Sequence, residues 1–235
     1  TGVIGLLFRP LMLIAYSEKR HEDLVKITIN GAYIVGIISS LLCGIVMGAS
    51  ASILHVWLND EISHYSVWMM IKMLIIPITT YGSTVGIVNN LWNHVKSFSI
   101  WSLVIAAVYV GISLILLELG MGMIGFLVIG AIAAILQGAI LPIMIYKEAY
   151  PQSVGTVYIQ MIKCTSFFIL VFVVTLWVDS VMEASNLFML MIELVISAVL
   201  AGLLSVPFFT KQNIIMLDMV VPVMGILKKI KIRKL

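Results

Sequence analysis

The sequence predicts an all-α polytopic transmembrane helix bundle of about seven spans. Three observations carry the prediction. The 235 residues are 62% hydrophobic and 11% charged, with mean hydropathy +1.15, far from the roughly 25% charged residues of a soluble domain. Apolar runs of the roughly 20 residues needed to cross a bilayer recur along the whole chain. Lysine and arginine gather in alternate connections between those runs.

In chain order, the runs lie at approximately 1–16 (truncated), 27–57, 66–89, 97–117, 121–146, 156–178 and 185–208. The first opens on Thr1 in "TGVIGLLF", without a basic leader or a small-residue cleavage site. It is therefore read not as a signal peptide but as a helix entered part-way, in a fragment of a larger protein. Short polar connections separate the runs: "SEKRHEDL", "LNDEISHY", "NNLWNHVK", "ELGMG", "YKEAYPQSVG" and "VDSVMEAS". Residues 1–210 thus read as one helix bundle. Residues 211–235 carry Asp218, Pro222 and a strongly basic end, and read as a cytoplasmic tail lying at the interface against anionic lipid headgroups. An eighth span is the alternative, and it would place the basic end outside.

Lys19, Arg20, Lys26, Lys96, Lys147, Lys211, Lys228, Lys229, Lys231, Arg233 and Lys234 fall on one side of the runs. The opposite connections hold Asp60, Glu61, Glu118, Asp179 and Glu183, with no lysine or arginine. The positive-inside rule makes the first side cytoplasmic, with the C-terminus inside and the chain multi-pass in the cytoplasmic (inner) membrane. These basic clusters serve topology, so nucleic acid is not expected as a partner.

No catalytic frame is visible. His21, His55, His64 and His94 stand near the ends of runs, outside any H-E-x-x-H pattern, and neither a P-loop nor G-x-S-x-G occurs. Cys43 and Cys164 lie in apolar runs without metal-ligand spacing and read as packing residues. Neither an enzyme, a metal nor a cofactor is expected.

Charges inside the runs are costly and become the candidate cavity residues: Arg9, Lys72, Lys163 and Glu193. Helical side chains tilt toward the helix N-terminus, so Lys72 and Lys163 each point toward their nearer surface and can snorkel. Arg9 instead tilts toward the bilayer centre, which makes it the leading candidate to line a cationic, water-filled cavity. Pairing Glu193 with Lys163 is disfavoured, because their tilts oppose and their depths overlap only loosely. Pro10, Pro77, Pro142 and Pro207 also fall in apolar runs. Pro10, beside Arg9, and Pro77, near mid-membrane, are the hinge candidates, since each removes a backbone hydrogen bond. Small residues at Gly44 and Gly48, and at Gly130, Ala134 and Gly138, offer close helix contacts.

Four stretches carry a family resemblance. They are the proline-containing helix and charged turn "RPLMLIAYSEKRHEDLVK", the outer end "ILHVWLND", the turn "NNLWNHVKSFSI" and the glycine-rich "LGMGMIGFLVIGAIAAIL". Together they resemble the C-terminal half of polysaccharide biosynthesis proteins. These are the O-antigen and capsule flippases of the multidrug/oligosaccharidyl-lipid/polysaccharide flippase superfamily. Asn59 departs from the glycine of many members. The resemblance implies a two-lobed transporter, of which this chain is the second lobe, carrying a lipid-linked oligosaccharide to the outer leaflet by alternating access. It also implies Arg9, Lys72 and Lys163 as cations for the substrate's pyrophosphate, and other polysaccharide-assembly proteins as partners. Two alternatives are a cation-coupled multidrug-and-toxin-extrusion exporter, for which only Glu193 stands as a membrane carboxylate, and a membrane enzyme of polysaccharide assembly, which the short outer loops disfavour.

Overall fold

A computed structural model describes residues 8–58, 65–91, 95–120, 122–210 and 213. The start of the first expected span, Asp60, Glu61, His64, His94, Lys211 and nearly all of the basic tail lie outside the described residues. Every regular element among the described residues is helical: α1 Arg9–Ser17, α2 His21–Gly48, α3 Ser50–Leu58, α4 Ser66–Leu91, α5 Val95–Glu118, α6 Gly122–Ile135, α7 Leu141–Ala149, α8 Val154–Met182 and α9 Leu187–Ser205. Six segments are long and apolar enough to cross a membrane: His21–Gly48, Ser66–Asn89, Lys96–Glu118, Ile124–Ala149, Pro151–Met182 and Leu187–Phe208. With α1 as the described end of the first apolar run, the chain is an all-α polytopic bundle of about seven spans.

Several boundaries differ from expectation. α2 starts at His21 rather than near 27, because Glu22 and Asp23 occupy its first turn and suit the positive end of the helix dipole. Arg20, just before it, pairs with Glu18 at 2.5 Å and Asp23 at 3.2 Å. The run expected at 27–57 breaks at Ala49 into α2 and α3. The run expected at 121–146 contains a π turn, Leu136–Ile140, immediately before Pro142 at the start of α7. A π turn absorbs the register change that a mid-helix proline demands. Asn89 on α4 tightens this joint by donating from Nδ2 to the Pro142 carbonyl at 2.8 Å.

Lipid tails are as apolar as leucine, so helix association here rests on close packing and buried hydrogen bonds rather than on hydrophobic burial. α2 is the central helix, with glycines along its contact with α8. A Cβ at Gly36 would meet Cys164 Sγ at 2.7 Å, one at Gly44 would meet Val171 Cγ1 at 2.8 Å, and one at Gly48 would meet Thr175 Cβ at 2.5 Å. Contacts that advance together on both helices make α2 and α8 parallel. The same reasoning makes α4 parallel to α6 and α7, since Thr79 meets Gly138, Gly82 meets Gly138 and Ala139, and Gly86 meets Pro142. The Gly44/Gly48 step is thus used as anticipated. Gly130 is looser, with the Tyr109 ring no closer than 3.5 Å.

Buried cross-links add direction to the packing. Ser40 Oγ donates to the Cys164 carbonyl at 3.0 Å, Tyr81 Oη to the Val157 carbonyl at 2.9 Å and Tyr33 Oη to the Phe208 carbonyl at 2.8 Å. By contrast, α5 and α9 present mostly outward faces, with Leu103 72% and Phe188 74% exposed, as lipid-facing helices do. The turn between α5 and α6 holds Gly120 and Gly122 at φ +73° and +60°, a left-handed backbone that suits glycine.

Candidate functional site

The bundle has a basic end, where α2 begins, α7 ends, α8 begins and α9 ends, and an acidic end carrying Glu118, Asp179 and Glu183. The four candidate cavity residues do not converge. Arg9 is exposed at the described start of α1, with Pro10, also exposed, in the first turn. Their neighbour Phe8 turns the other way and packs against Gly31 of α2. Lys72 is exposed on α4, six residues and about 9 Å from the helix start at Ser66. Pro77 is buried inside α4, which continues unbroken through it.

Lys163 is exposed as well, but its neighbours form a cleft. It lines a cleft of about 340 Å³ between α2, α8 and the segment after α9, together with Asn30, Tyr33, Gln160, Pro207, Phe208, Thr210 and Asn213. Helical spacing explains the assembly: Asn30 and Tyr33 stand three apart on α2, as do Gln160 and Lys163 on α8. Lys163 is nine residues, or about 14 Å, into α8. Among the described residues it makes no ion pair. Gln160 Oε1 and Asn213 Oδ1 are buried without hydrogen-bond partners, so the cleft offers a cation beside unspent amide acceptors. The Tyr33–Phe208 hydrogen bond closes its floor. Scanning for charges alone passes over Asn30 and Gln160, although an amide inside an apolar run is itself a signal.

Nearer the basic end, His21, Glu22, Val25, Lys26 and residues 149–153 line a wider cleft of about 560 Å³. Its charges are mutually compensated, with Lys26 Nζ 4.0 Å from Glu22. Burial, then the neighbouring Tyr146 and Tyr16, pushes the Tyr150 hydroxyl up to about 12, so it stays a neutral group at ordinary pH.

Glu193 belongs to the acidic end. It is fully buried on α9, neither of its carboxyl oxygens has a hydrogen-bond partner among the described residues, and Asp179 on α8 is a neighbouring like charge. Asp179 is sixteen residues along α8 from Lys163, a separation of about 24 Å. Among the described residues no ion pair joins Lys163 and Glu193. Asp179 was expected in a connection beyond a span ending near 178, but α8 continues to Met182 and carries it into the helix. Among the described residues, no three His, Cys, Asp or Glu side chains gather as a metal cluster.

Comparisons with protein-family models, with curated proteins and with solved structures returned no match.

Proposed function

We propose that this chain is the second lobe of a flippase that moves a lipid-linked oligosaccharide across the cytoplasmic membrane for cell-surface polysaccharide biosynthesis. The observation that carries the reading is Lys163, an exposed cation without an acidic partner among the described residues, lining a cleft with Asn30, Gln160 and Asn213 on an otherwise apolar bundle. A pyrophosphate asks for cationic donors and sugar hydroxyls ask for amides, and each would cost several kcal/mol if left unpartnered in hydrocarbon. The lysine and arginine distribution orients the basic end toward the cytoplasm, which opens this cleft to the leaflet from which such a substrate is taken. The resemblance in "RPLMLIAYSEKRHEDLVK" and "LGMGMIGFLVIGAIAAIL" points the same way.

The test is surface-glycan display in a strain that depends on the full-length protein. Lys163→Ala abolishes display while membrane insertion is retained, and Lys163→Arg restores part of it. Normal display in a well-expressed Lys163→Ala strain refutes the assignment.

A second reading, a cation-coupled exporter of organic cations, draws on a different observation: the buried carboxyl of Glu193, with the half-buried Asp179 as its neighbour. Under that reading Glu193→Gln abolishes organic-cation export, and Lys163→Ala leaves it intact.

A further inference from the structure

The exposed aromatic rings of α8 mark where the bilayer lies. Tyr158 is 42% and Trp177 63% exposed, and they stand nineteen positions apart on the helix, about 28 Å. That matches a hydrocarbon core of roughly 30 Å, flanked by interfaces that tyrosine and tryptophan favour. α2 runs parallel to α8, with Gly36 against Cys164 and Gly44 against Val171. Six residues back from the first of these contacts, Asn30 stands level with Tyr158. Lys26 therefore lies one turn, about 6 Å, beyond the hydrocarbon edge at the basic end, and Glu22 one turn farther out. A bilayer with its headgroups is about 40–45 Å thick, which leaves a headgroup layer of roughly 5–8 Å on each side. Lys26 falls within that layer, and Glu22 stands at its watery side.

This is the level of the cleft of about 560 Å³ between the first turns of α2 and the turn joining α7 to α8. Its floor satisfies itself. Ser153 Oγ donates to the Tyr150 carbonyl at 3.0 Å and lies 2.9 Å from the Tyr146 hydroxyl, and the Tyr146 and Tyr150 rings pack with centroids 5.3 Å apart. The rim offers charge instead. Lys26 Nζ and Glu22 Oε2 face each other at 4.0 Å, with side chains 67% and 94% exposed. An exposed pair at that separation contributes little to stability, so both partners are open to exchange with a ligand that carries both signs.

We propose that this cleft holds the headgroup of a zwitterionic phospholipid bearing a primary ammonium, with its phosphate on Lys26 and its ammonium on Glu22. The order of charges along the membrane normal agrees. In such a lipid the phosphate joins the glycerol, next to the chains, and the ammonium is carried farther out, just as Lys26 lies nearer the hydrocarbon than Glu22. A primary ammonium presents N–H donors to the carboxylate, which a quaternary ammonium lacks. An anionic headgroup without an amine would satisfy Lys26 and set Glu22 against a like charge. The cleft shares no lining residue with the Lys163 cleft, and the proposal does not rest on the flippase reading, since lipid retention is measured without any transported substrate.

The experiment uses the full chain, purified in detergent and mixed with phosphatidylethanolamine, phosphatidylcholine or phosphatidylglycerol of identical acyl chains. Native mass spectrometry counts the lipid retained. The expected result is one phosphatidylethanolamine per chain, held about tenfold more tightly than the other two, the worth of one charge-assisted hydrogen bond. Lys26 and Glu22 are both exposed, so substituting them leaves the packed core untouched. Glu22→Gln removes the preference over phosphatidylcholine, Glu22→Lys turns it toward phosphatidylglycerol, and Lys26→Gln weakens retention of phosphatidylethanolamine. Three results overturn the proposal: retention of phosphatidylethanolamine no greater than that of either other lipid; a wild-type preference in Glu22→Gln, which puts the lipid elsewhere; or full competition by equimolar glycerophosphoethanolamine, which makes the ligand a soluble headgroup rather than a lipid.

Discussion

Replacing Gly82 by alanine tests the packing logic of the bundle most directly. A Cβ there would fall on Ala139 Cα and stand 2.5 Å from the Gly138 carbonyl oxygen. Ordinary van der Waals contact begins at 3.4 Å, so α4 must withdraw from the π turn by about 1 Å. Backbone cannot rotate aside as a flexible side chain can. A gap of that size forfeits a quarter to a half of each neighbouring contact along the seam. Overpacking of this kind costs about 1–3 kcal/mol, and contact with backbone argues for the upper end. Alanine's better helix propensity returns about 1 kcal/mol, leaving a net loss of about 2 kcal/mol, or roughly 30-fold in the folding equilibrium. Gly111 on α5 is the internal control, because a Cβ there meets nothing within 4 Å. Gly111→Ala is therefore expected to stabilise by up to about 1 kcal/mol. SDS titration of both variants in mixed micelles, followed by far-ultraviolet circular dichroism, measures the difference. Equal or greater stability of Gly82→Ala relative to Gly111→Ala refutes the close approach of α4 to the π turn.

Three further outcomes follow from other contacts. Asn89→Ala removes the 2.8 Å bond from buried Nδ2 to the Pro142 carbonyl and is expected to cost about 1–3 kcal/mol in the same titration. Cys43 and Cys164 are buried free thiols within helix contacts, so in micelles neither reacts with a maleimide until SDS unfolds the chain, as mass spectrometry would record. Arg9→Ala in the full-length protein is expected to block surface-glycan display with membrane insertion intact; normal display would remove Arg9 from the substrate path.

Which parts of this were legible in advance follows from the range of the physical signal. Hydropathy is summed over some twenty residues, so the spans emerge from the sequence with little ambiguity. Their ends do not, because a hydropathy run stops at the first charge whereas the backbone ladder continues through it. That is why His21–Lys26 joins α2 and Asp179 joins α8. The second boundary mattered most, since a shift of four residues turned a loop aspartate into a charged neighbour of Glu193 within the helices. Tilt rules placed Lys72 and Lys163 alike, near their own surfaces. They could not separate them, because what distinguishes Lys163 is its neighbours on α2 and beyond α9, long-range contacts that periodicity does not encode.

The same contacts suggest how the two polar regions communicate. α8 carries Lys163 and, about 24 Å further along, Asp179. Between them it rests on α2 through glycine contacts at Gly44 and Gly48 that leave little room for anything but sliding or rocking as a unit. α9 touches both regions, with Glu193 at one end and the Phe208 carbonyl just past its other end, bonded to Tyr33. A change of charge at Glu193 that shifts α9 against α8 therefore strains the Tyr33–Phe208 bond at the floor of the Lys163 cleft. Coupling through such a rigid pair is a differential-affinity effect. Tyr33→Phe is accordingly expected to cost only about 1 kcal/mol of stability while weakening any effect of Glu193→Gln on anion binding at Lys163. An effect of Glu193→Gln on pyrophosphate binding that is as large in Tyr33→Phe as in the wild type would show that the coupling does not run through that bond.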